Sequence, residues 1–553
     1  MSVTSTQSRL TSWGRATISQ TSWRRLLMLS PALFAGVYLV VLIADFHQII
    51  TSINMHGDVV NAPVLGKLAG QAPPGSQVLL GHHPWYEEFL FLRATSGLSF
   101  YRQLWEVSPL LWTLAGFAVL AWAAWQALGP VAALLTTSAL ICLGDLGRFI
   151  FFAFDWHGLT VAHTILVVAA LVWLVPRAAD IGWISLCALA TALGLISALP
   201  MASDALFPFW ALIPMCLAAG LMAYRNLGRA RWTPVVFALL TVLVSVIAGR
   251  IVAHLVRDSG VVTLPFPYTF VGSMKTAISY LEELLVGWMN LGGGGFFGMS
   301  LKLPGLAALL SGVLILSALG LGLWEVRRLA AARPAARSAQ TMAQGTDPRA
   351  SARLAYVSFW ATSLLVQVAV FIGTSVPKTK TGSVRYALAG YVAIMALMPL
   401  LTRRGPIWRW AVTAAVCLFA LSSTFQMARQ PYHPYGHYPG PPQAALVLRF
   451  ARAHHVNYGY ASYWDGGDLS WLTDFKLQIY PVRSGCGPYG LCPDKARISS
   501  WYLPRPSTRS MLIADQAQPG VNALPPQLGH PLATTYIGSL TVAVYGYDIA
   551  SRF

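Results

Sequence analysis

Eleven apolar stretches divide this chain, and each is long enough to cross the roughly 30 Å hydrocarbon core of a bilayer. Hydrophobic residues make up 56% of the sequence and charged residues only 10%, against about 45–50% and about 25% in soluble proteins. We therefore predict a polytopic all-α transmembrane bundle. The stretches lie near residues 28–47, 108–128, 131–153, 159–176, 183–200, 206–223, 233–256, 303–324, 354–374, 386–402 and 407–426.

The chain has a net charge of +18, and its basic residues lie in the gaps between these stretches. They form no basic stripe on a soluble face. Arginines concentrate in the arm 1–27 and in alternate gaps near residues 177, 225–231, 327–353 and 403–409. The positive-inside rule assigns such segments to the cytoplasm. We expect a multi-pass protein of the cell (plasma) membrane with a cytoplasmic amino terminus. The lipid bilayer is a partner, and nucleic acid is not.

The same pattern predicts the domain organisation. A cytoplasmic arm, 1–27, precedes a transmembrane domain, 28–426, with long exterior loops at 48–107 and 257–302. A linker rich in Pro, Tyr and His, 427–443, leads to an extracytoplasmic domain, 444–553. There the helical pattern QAALVLRFARAHH alternates with strand patterns such as KLQIYPV and RSMLIAD, so a small α/β domain is expected. In the first loop, DVVNAPVLGKLAG predicts a helix with one apolar side, lying in the membrane interface.

Two of the six cysteines, Cys486 and Cys492, lie in the polar segment SGCGPYGLC. Six residues apart and flanked by Gly and Pro, they are placed to form a disulfide, which persists in oxidising compartments. Two free thiols are the alternative. A zinc site is disfavoured because two cysteines supply only half of the usual ligand set.

Acidic residues near membrane level are costly and are therefore candidates for function. Asp58, in NMHGDVV after the first span, is a candidate catalytic base, and a helix N-cap is its alternative role. Asp155, in FDWHG, is a second candidate catalytic residue and faces the same side together with His157. An ordinary turn is the alternative for Asp155.

Further polar residues in the first loop are candidate substrate contacts. Glu87 and Glu88 follow an aromatic pair in HHPWYEEF, where they either orient a sugar or remain hydrated. His56 is a further candidate contact, and together with the histidines of HHPW it could bind a metal. No HExxH, CxxC or His-x-His spacing frames a metal site, so the metal ligands are unknown. We assign no definite cofactor and leave a divalent cation open.

One short exterior loop, SVPKTKTGSVRY, departs from the positive-inside rule. It places Lys378, Lys380 and Arg385 within a few residues. Such a cluster indicates an anionic ligand, and lipid phosphate is the available anion at a membrane surface. Plain attraction to anionic headgroups is the alternative.

Together these features resemble the GT-C superfamily of polyprenyl-phosphate-sugar-dependent integral membrane glycosyltransferases. The likeness rests on the cytoplasmic amino terminus, the long first loop with Asp58, the short second loop with Asp155 and the exterior carboxy-terminal domain. The segment GYASYWDGGDLSWLTDFKLQIYPV is similar to the soluble domain of actinobacterial-type members. MHGDVV departs from the family in lacking the Asp-Glu or Glu-x-x-Tyr surroundings of many members.

The resemblance implies transfer of a sugar from a polyprenyl phosphate donor to an extracytoplasmic hydroxyl of a cell-envelope glycan, a lipid or a protein. In that reaction Asp58 would accept the proton, Asp155 would orient the acceptor, and the basic loop would hold the donor phosphate. Two other classes of function remain. A lipid or solute transporter or flippase would use Asp145, Arg148 and Arg250 as parts of a translocation path. A non-catalytic envelope assembly or receptor protein would use the carboxy-terminal domain for binding.

Overall fold

A computed structural model gives the fold of the chain. It describes residues 20–46, 48–50, 57–81, 85–152, 157–225, 232–264, 269–296, 299–300, 302–331, 348–374, 383–429, 440–506 and 508–553. The transmembrane bundle consists of α1 (Gln20–Ala44), α4 (Tyr101–Leu128), α5 (Pro130–Ile141), α6 (Asp145–Phe151), α7 (Gly158–Leu174), α8 (Trp183–Ile196), α9 (Ala198–Ser203), α10 (Ile213–Arg225), α11 (Thr233–Asp258), α13 (Leu303–Ala331), α14 (Pro348–Gly373), α15 (Leu388–Leu397) and α16 (Pro406–Arg429).

Within the described part, eight helical segments are long and apolar enough to cross a membrane. A bent pair, α5 with α6, and two shorter apolar helices, Leu29–Ala44 and Pro208–Tyr224, account for the remaining predicted stretches. Each predicted stretch therefore overlaps a helix, and the prediction of an all-α membrane bundle is confirmed. The chain is a multi-pass membrane protein.

The bend between α5 and α6 measures 94° and is centred on Cys142–Gly144. Here the glycine-rich end of the second long loop packs against the bundle, and the amide of Gly144 donates to the carbonyl of Leu291 at 3.1 Å. A Cβ atom on Gly144 would lie 2.2 Å from the backbone nitrogen of Gly293. Glycine is required at this position because two backbones meet without room for a side chain.

The long loops form short helices and one small sheet. The helices are α2 (Gly57–Ala69), α3 (Tyr86–Thr95) and α12 (Met274–Leu291). Strands β1 (Val78–Leu79) and β2 (Val261–Val262) pair in parallel, and β1 also pairs with β6 (Arg497–Ile498) of the carboxy-terminal domain. Helix α2 is buried on nearly every side, with Val59 and Val60 fully inaccessible. The carboxy-terminal domain packs against α2, and the position of α2 in the membrane interface stays a prediction.

The carboxy-terminal domain is a mixed sheet with helices, as predicted. The helices are α17 (Pro441–Ala453) and α18 (Tyr463–Leu472), and the strands of the sheet are β3 (Tyr458–Ala461), β4 (Gln478–Ser484), β5 (Leu491–Pro493), β7 (Ser510–Asp515), β8 (Ala533–Ile537) and β9 (Leu540–Tyr545). These strands run in the order β5-β4-β3-β7-β9-β8. A disulfide joins Cys486 and Cys492, which confirms that expectation.

The domain lies against the end of the bundle where α4 and α7 begin and α6 and α9 end, which we call the covered end. Trp471 of the domain packs edge-on against Trp105 of α4, with ring centroids 4.4 Å apart. The guanidinium of Arg102 lies 5.0 Å from the Trp471 ring. These contacts fix the domain directly over the ends of the spans.

Candidate active site

Glu87 and Glu88 lie in the first turn of helix α3 at the covered end. The carboxylate of Glu87 contacts Nε2 of His163 at 2.8 Å, and its backbone amide donates to the hydroxyl of Ser203 at 2.9 Å. Glu88 is buried. Two of the three first-loop candidates thus point into the protein, which disfavours the alternative that they are simply hydrated.

His157 lies just before α7 and is paired with an acid that follows α9. Its Nδ1 is 2.5 Å from the carboxylate of Asp204, which also accepts a hydrogen bond from Thr160 at 2.6 Å. Burial raises the pKa of the Asp204 carboxyl, but the charge and hydrogen bonds of His157 and Thr160 outweigh it and lower the pKa. Asp204 therefore holds a negative charge that orients the His157 ring.

Glu87, Glu88, His157 and Asp204 line one small cleft. A second small cleft shares Glu88 with it. Carboxylates, an imidazole and hydroxyls are the groups that bind sugar hydroxyls and move protons. The first cleft is lined by Trp85, Glu87, Glu88, His157, Thr160, Ser203 and Asp204.

Arg385 approaches the same region from the loop before α15. Its guanidinium lies 5.1 Å from the centroid of the Tyr386 ring and donates to the Tyr386 hydroxyl at 3.1 Å. The Tyr386 ring in turn lies 5.4 Å from the ring of His157. The Tyr386 side chain therefore lies between the Arg385 cation and His157, which lines the cleft. Lys378 and Lys380 lie outside the described residues.

Asp58 occupies a different part of the covered end. It lies in the first turn of α2, one residue after the helix begins. The Tyr463 hydroxyl donates to its carboxylate at 2.9 Å, and Nζ of Lys495 lies 3.8 Å away. Asp58 is absent from the residues that line the cleft. The Asp58 side chain is 21% exposed.

Two other predicted residues, His56 and Asp155, fall outside the described residues. Within the described ranges no three His, Cys, Asp or Glu side chains are grouped so as to hold a metal ion.

Sequence reasoning missed Asp204, His163, Tyr463 and Lys495. Asp204 had a usable signal, because it is an acid in a very short loop between two spans, like Asp155. His163 lies within an apolar stretch, where a lone histidine is more often structural. Tyr463 and Lys495 reach Asp58 from more than 400 residues away in the chain, and no local pattern marks such a contact.

No protein-family model matches the sequence, and no curated protein matches it either. Among solved structures, an oligosaccharyltransferase of Archaeoglobus fulgidus tethered to an acceptor peptide matches with a TM-score of 0.40 at 12% identity, over 80% of this chain. The archaeal oligosaccharyltransferase AglB, from the same organism, with an inhibitory peptide and a dolichol-phosphate, matches with a TM-score of 0.41, also at 12% identity and over 80% of this chain. The chain spans 63% and 64% of the length of these two structures.

A further similar structure is ArnT from Cupriavidus metallidurans bound to undecaprenyl phosphate. It matches with a TM-score of 0.47 at 14% identity, over 95% of this chain and 98% of that one.

Proposed function

We propose that the chain is a membrane glycosyltransferase that moves a sugar from a polyprenyl phosphate donor to an acceptor hydroxyl outside the cytoplasm. The observation that carries this proposal is the gathering of ionisable side chains at the covered end. Glu87, Glu88, His157 and Asp204 line a cleft there, and Arg385 stands beside it. Hydroxyl recognition and phosphate recognition are thereby brought side by side.

The donor phosphate is assigned to the basic loop. Arg385 presents a guanidinium, whose planar set of donors suits phosphate oxygens, next to Tyr386 and the cleft. Lys378 and Lys380 precede it in the same loop and supply further positive charge. This cationic loop offsets the negative charge that develops on the phosphate as it leaves.

Asp58 is assigned the acceptor proton. The O–H bond of the acceptor breaks as its oxygen bonds to the anomeric carbon, and the bond from that carbon to the phosphate oxygen breaks with its electron pair remaining on the phosphate. The proton passes to Asp58 and then to water. Asp155 orients the acceptor hydroxyl, and the sugar contacts His56, Glu87, Glu88 and His157.

The transporter alternative is disfavoured by the placement of the charges it invokes. Arg148 is buried, binds Asp145 and donates to the carbonyl of Leu143 at 3.1 Å. Arg250, in contrast, is exposed on the outer face of α11. These residues form a local structural pair and a separate surface group, not a path through the bundle.

The orientation is also part of the proposal. We assign the amino terminus to the cytoplasm and the covered end to the exterior of the plasma membrane. The disulfide between Cys486 and Cys492 supports this assignment, because it requires an oxidising compartment. The arginine-rich gaps, which are typical of cytoplasmic segments, lie at the opposite ends of the spans.

The test is transfer of label from a radiolabelled polyprenyl-phosphate sugar by the purified protein in liposomes, with and without magnesium or manganese. We expect label on an added envelope acceptor, and we expect Asp58→Asn to abolish transfer without changing the melting temperature. Label that crosses the bilayer but stays on the lipid would establish a flippase. Binding of donor or acceptor with neither outcome would establish a receptor.

A further inference from the structure

The carboxylate of Asp58 is held by two residues of the carboxy-terminal domain. Tyr463 donates its hydroxyl hydrogen to Oδ1 at 2.9 Å, and the ammonium of Lys495 lies 3.8 Å from the same oxygen. Lys495 is itself held over the Tyr463 ring, 4.1 Å from its centroid, and 5.6 Å from the ring of Trp464. The two residues therefore act on Asp58 as one unit.

Tyr463 is fixed from both sides. It opens helix α18, whose N-cap is Ser462, with a side chain that accepts from the amides of Trp464 and Asp465. Its carbonyl accepts a hydrogen bond at 2.9 Å from Asn61, one turn beyond Asp58 on α2. A Cβ atom on Gly467 would lie 2.4 Å from the Asn61 amide oxygen, so α18 sits directly on α2. The phenol is thereby aimed at Asp58.

Lys495 is fixed by the small sheet that joins the domain to the two long loops. It precedes β6, where Ile498 pairs with Val78 and Arg497 with Leu79 of β1. The amide of Ser499 donates to the carbonyl of Gln77 at 2.8 Å, and the amide of Gln77 donates to the Ser499 hydroxyl at 2.9 Å. The position of the ammonium follows from this pairing.

Four other charged groups on α2 and on the elements that pack against it have partners elsewhere. Glu87 contacts His163, Lys67 donates to the Ser96 carbonyl, and Arg497 donates to the carbonyls of Pro493 and Asp494. Asp465 accepts from Ser462 and is buried within the domain. The remaining titratable side chains on these elements are Tyr86, Glu88, Arg93 and Asp468.

We infer that Tyr463 and Lys495 are positioning residues for Asp58, so that the carboxy-terminal domain completes the catalytic site. The inference rests on the proposed function and deepens it. The phenol fixes the direction of the carboxylate, and the ammonium stabilises its ionised form, the one that can accept a proton. The base is thus ready only when the domain is docked on α2.

The experiment compares pH profiles of kcat/KM for the wild type, Lys495→Met and Tyr463→Phe. The acid limb reports ionisation of the base in the free enzyme. Without the Lys495 cation the ionised carboxylate of Asp58 is less stable. Lys495→Met is therefore expected to move the acid limb to higher pH, by about one unit. Tyr463→Phe is expected to move it upward by roughly half as much, and Lys495→Arg to leave it in place.

Two exposed residues of the same domain provide matched controls. Lys476→Met removes a lysine whose nearest acid is Asp474, at 4.0 Å, and Tyr536→Phe alters a tyrosine that is 77% exposed. Both should keep the wild-type limb. A purely structural role would lower activity equally at every pH, and an unmoved limb in Lys495→Met would overturn the inference.

A second measurement separates this inference from the proposed function, because it needs no activity. Carbon-13 NMR of protein labelled at the aspartate carboxyls, with the Asp58 signal identified by its loss in Asp58→Asn, gives the titration midpoint directly. A higher midpoint in Lys495→Met than in the wild type supports the positioning role even if no sugar is transferred. Equal midpoints contradict it, whatever the transfer assay shows.

Discussion

His157 and Asp204 come from different loops, 47 residues apart, and form a buried pair at 2.5 Å. A carboxylate in this position fixes the orientation and tautomer of the imidazole. We therefore expect Asp204→Asn to lower the transfer rate by about 10²-fold while the protein remains folded, measured with the labelled-donor assay.

The chain contains a matched control for this pair. His254 and Asp258 make a similar contact at 2.7 Å, but their side chains are 70% and 63% exposed on the surface of α11. Asp258→Asn should leave the transfer rate unchanged. Equal losses in the two variants would show that the His157–Asp204 pair has no special role.

Asp465, buried in the carboxy-terminal domain, makes stability depend on pH. Burial, together with the neighbouring Asp515, raises the pKa of its carboxyl to about 7. The folded state then binds the proton more tightly than the unfolded state, so the stabilisation is complete below about pH 4 and is lost as the pH rises towards 7. The free energy of unfolding should fall over this range by no more than about 1.4 kcal/mol per pH unit. We expect to see this as a falling melting temperature of the full-length protein in detergent.

Asparagine at position 465 cannot titrate, so Asp465→Asn should flatten this dependence. Part of it should persist, because burial also raises the pKa of Asp468. Asp474→Asn is the control, since that side chain is 70% exposed. A wild-type melting temperature that rises between pH 4 and pH 7 would contradict the assignment.

Single site residues could be predicted from the sequence where a polar residue lies in an unusual position. Glu87, Glu88 and His157 stand out beside membrane spans, and the structure brings all three to one cleft. Asp204 carries a similar signal, as an acid in a very short loop between two spans, whereas His163 reads as part of an apolar span. Their significance depends on contacts between separate helices, which one-dimensional patterns do not contain.

At the scale of elements, the bend between α5 and α6 depends on Gly144. Its missing side chain lets the backbone of Gly293 approach, so Gly144→Ala forces the two segments apart. We expect a loss of about 1–3 kcal/mol, seen as a lower melting temperature in detergent. Gly220→Ala, in α10 with open space around it, should have little effect. Similar melting temperatures for both variants would show that the bend tolerates a side chain.

The helices and strands of the carboxy-terminal domain were predicted from periodicity with modest errors. NYGYASYW reads as one strand, yet β3 ends at Ala461 and α18 begins at Tyr463. The reason is the Ser462 side chain, which caps the helix and ends the extended backbone. Strands as short as β1 and β6 carry too little pattern to be found from sequence at all.

At the scale of the whole molecule, the spans are predictable because bilayer thickness fixes the length of an apolar helix. The placement of the carboxy-terminal domain cannot be predicted in this way, because it depends on contacts between distant residues. One example is the contact between Gln77 and Ser499, which are 422 residues apart. That placement brings Tyr463 and Lys495 to Asp58. The site is therefore a property of the assembled chain, which no single segment specifies.

The most direct test of the account is a cryo-electron microscopy map of the protein with a polyprenyl-phosphate sugar bound to the Asp58→Asn variant. The account predicts phosphate density in contact with Arg385, sugar density in the cleft formed by Glu87, Glu88 and His157, and an open approach from there to position 58. Phosphate density at the uncovered end of the bundle, or on a surface unconnected with that cleft, would contradict it.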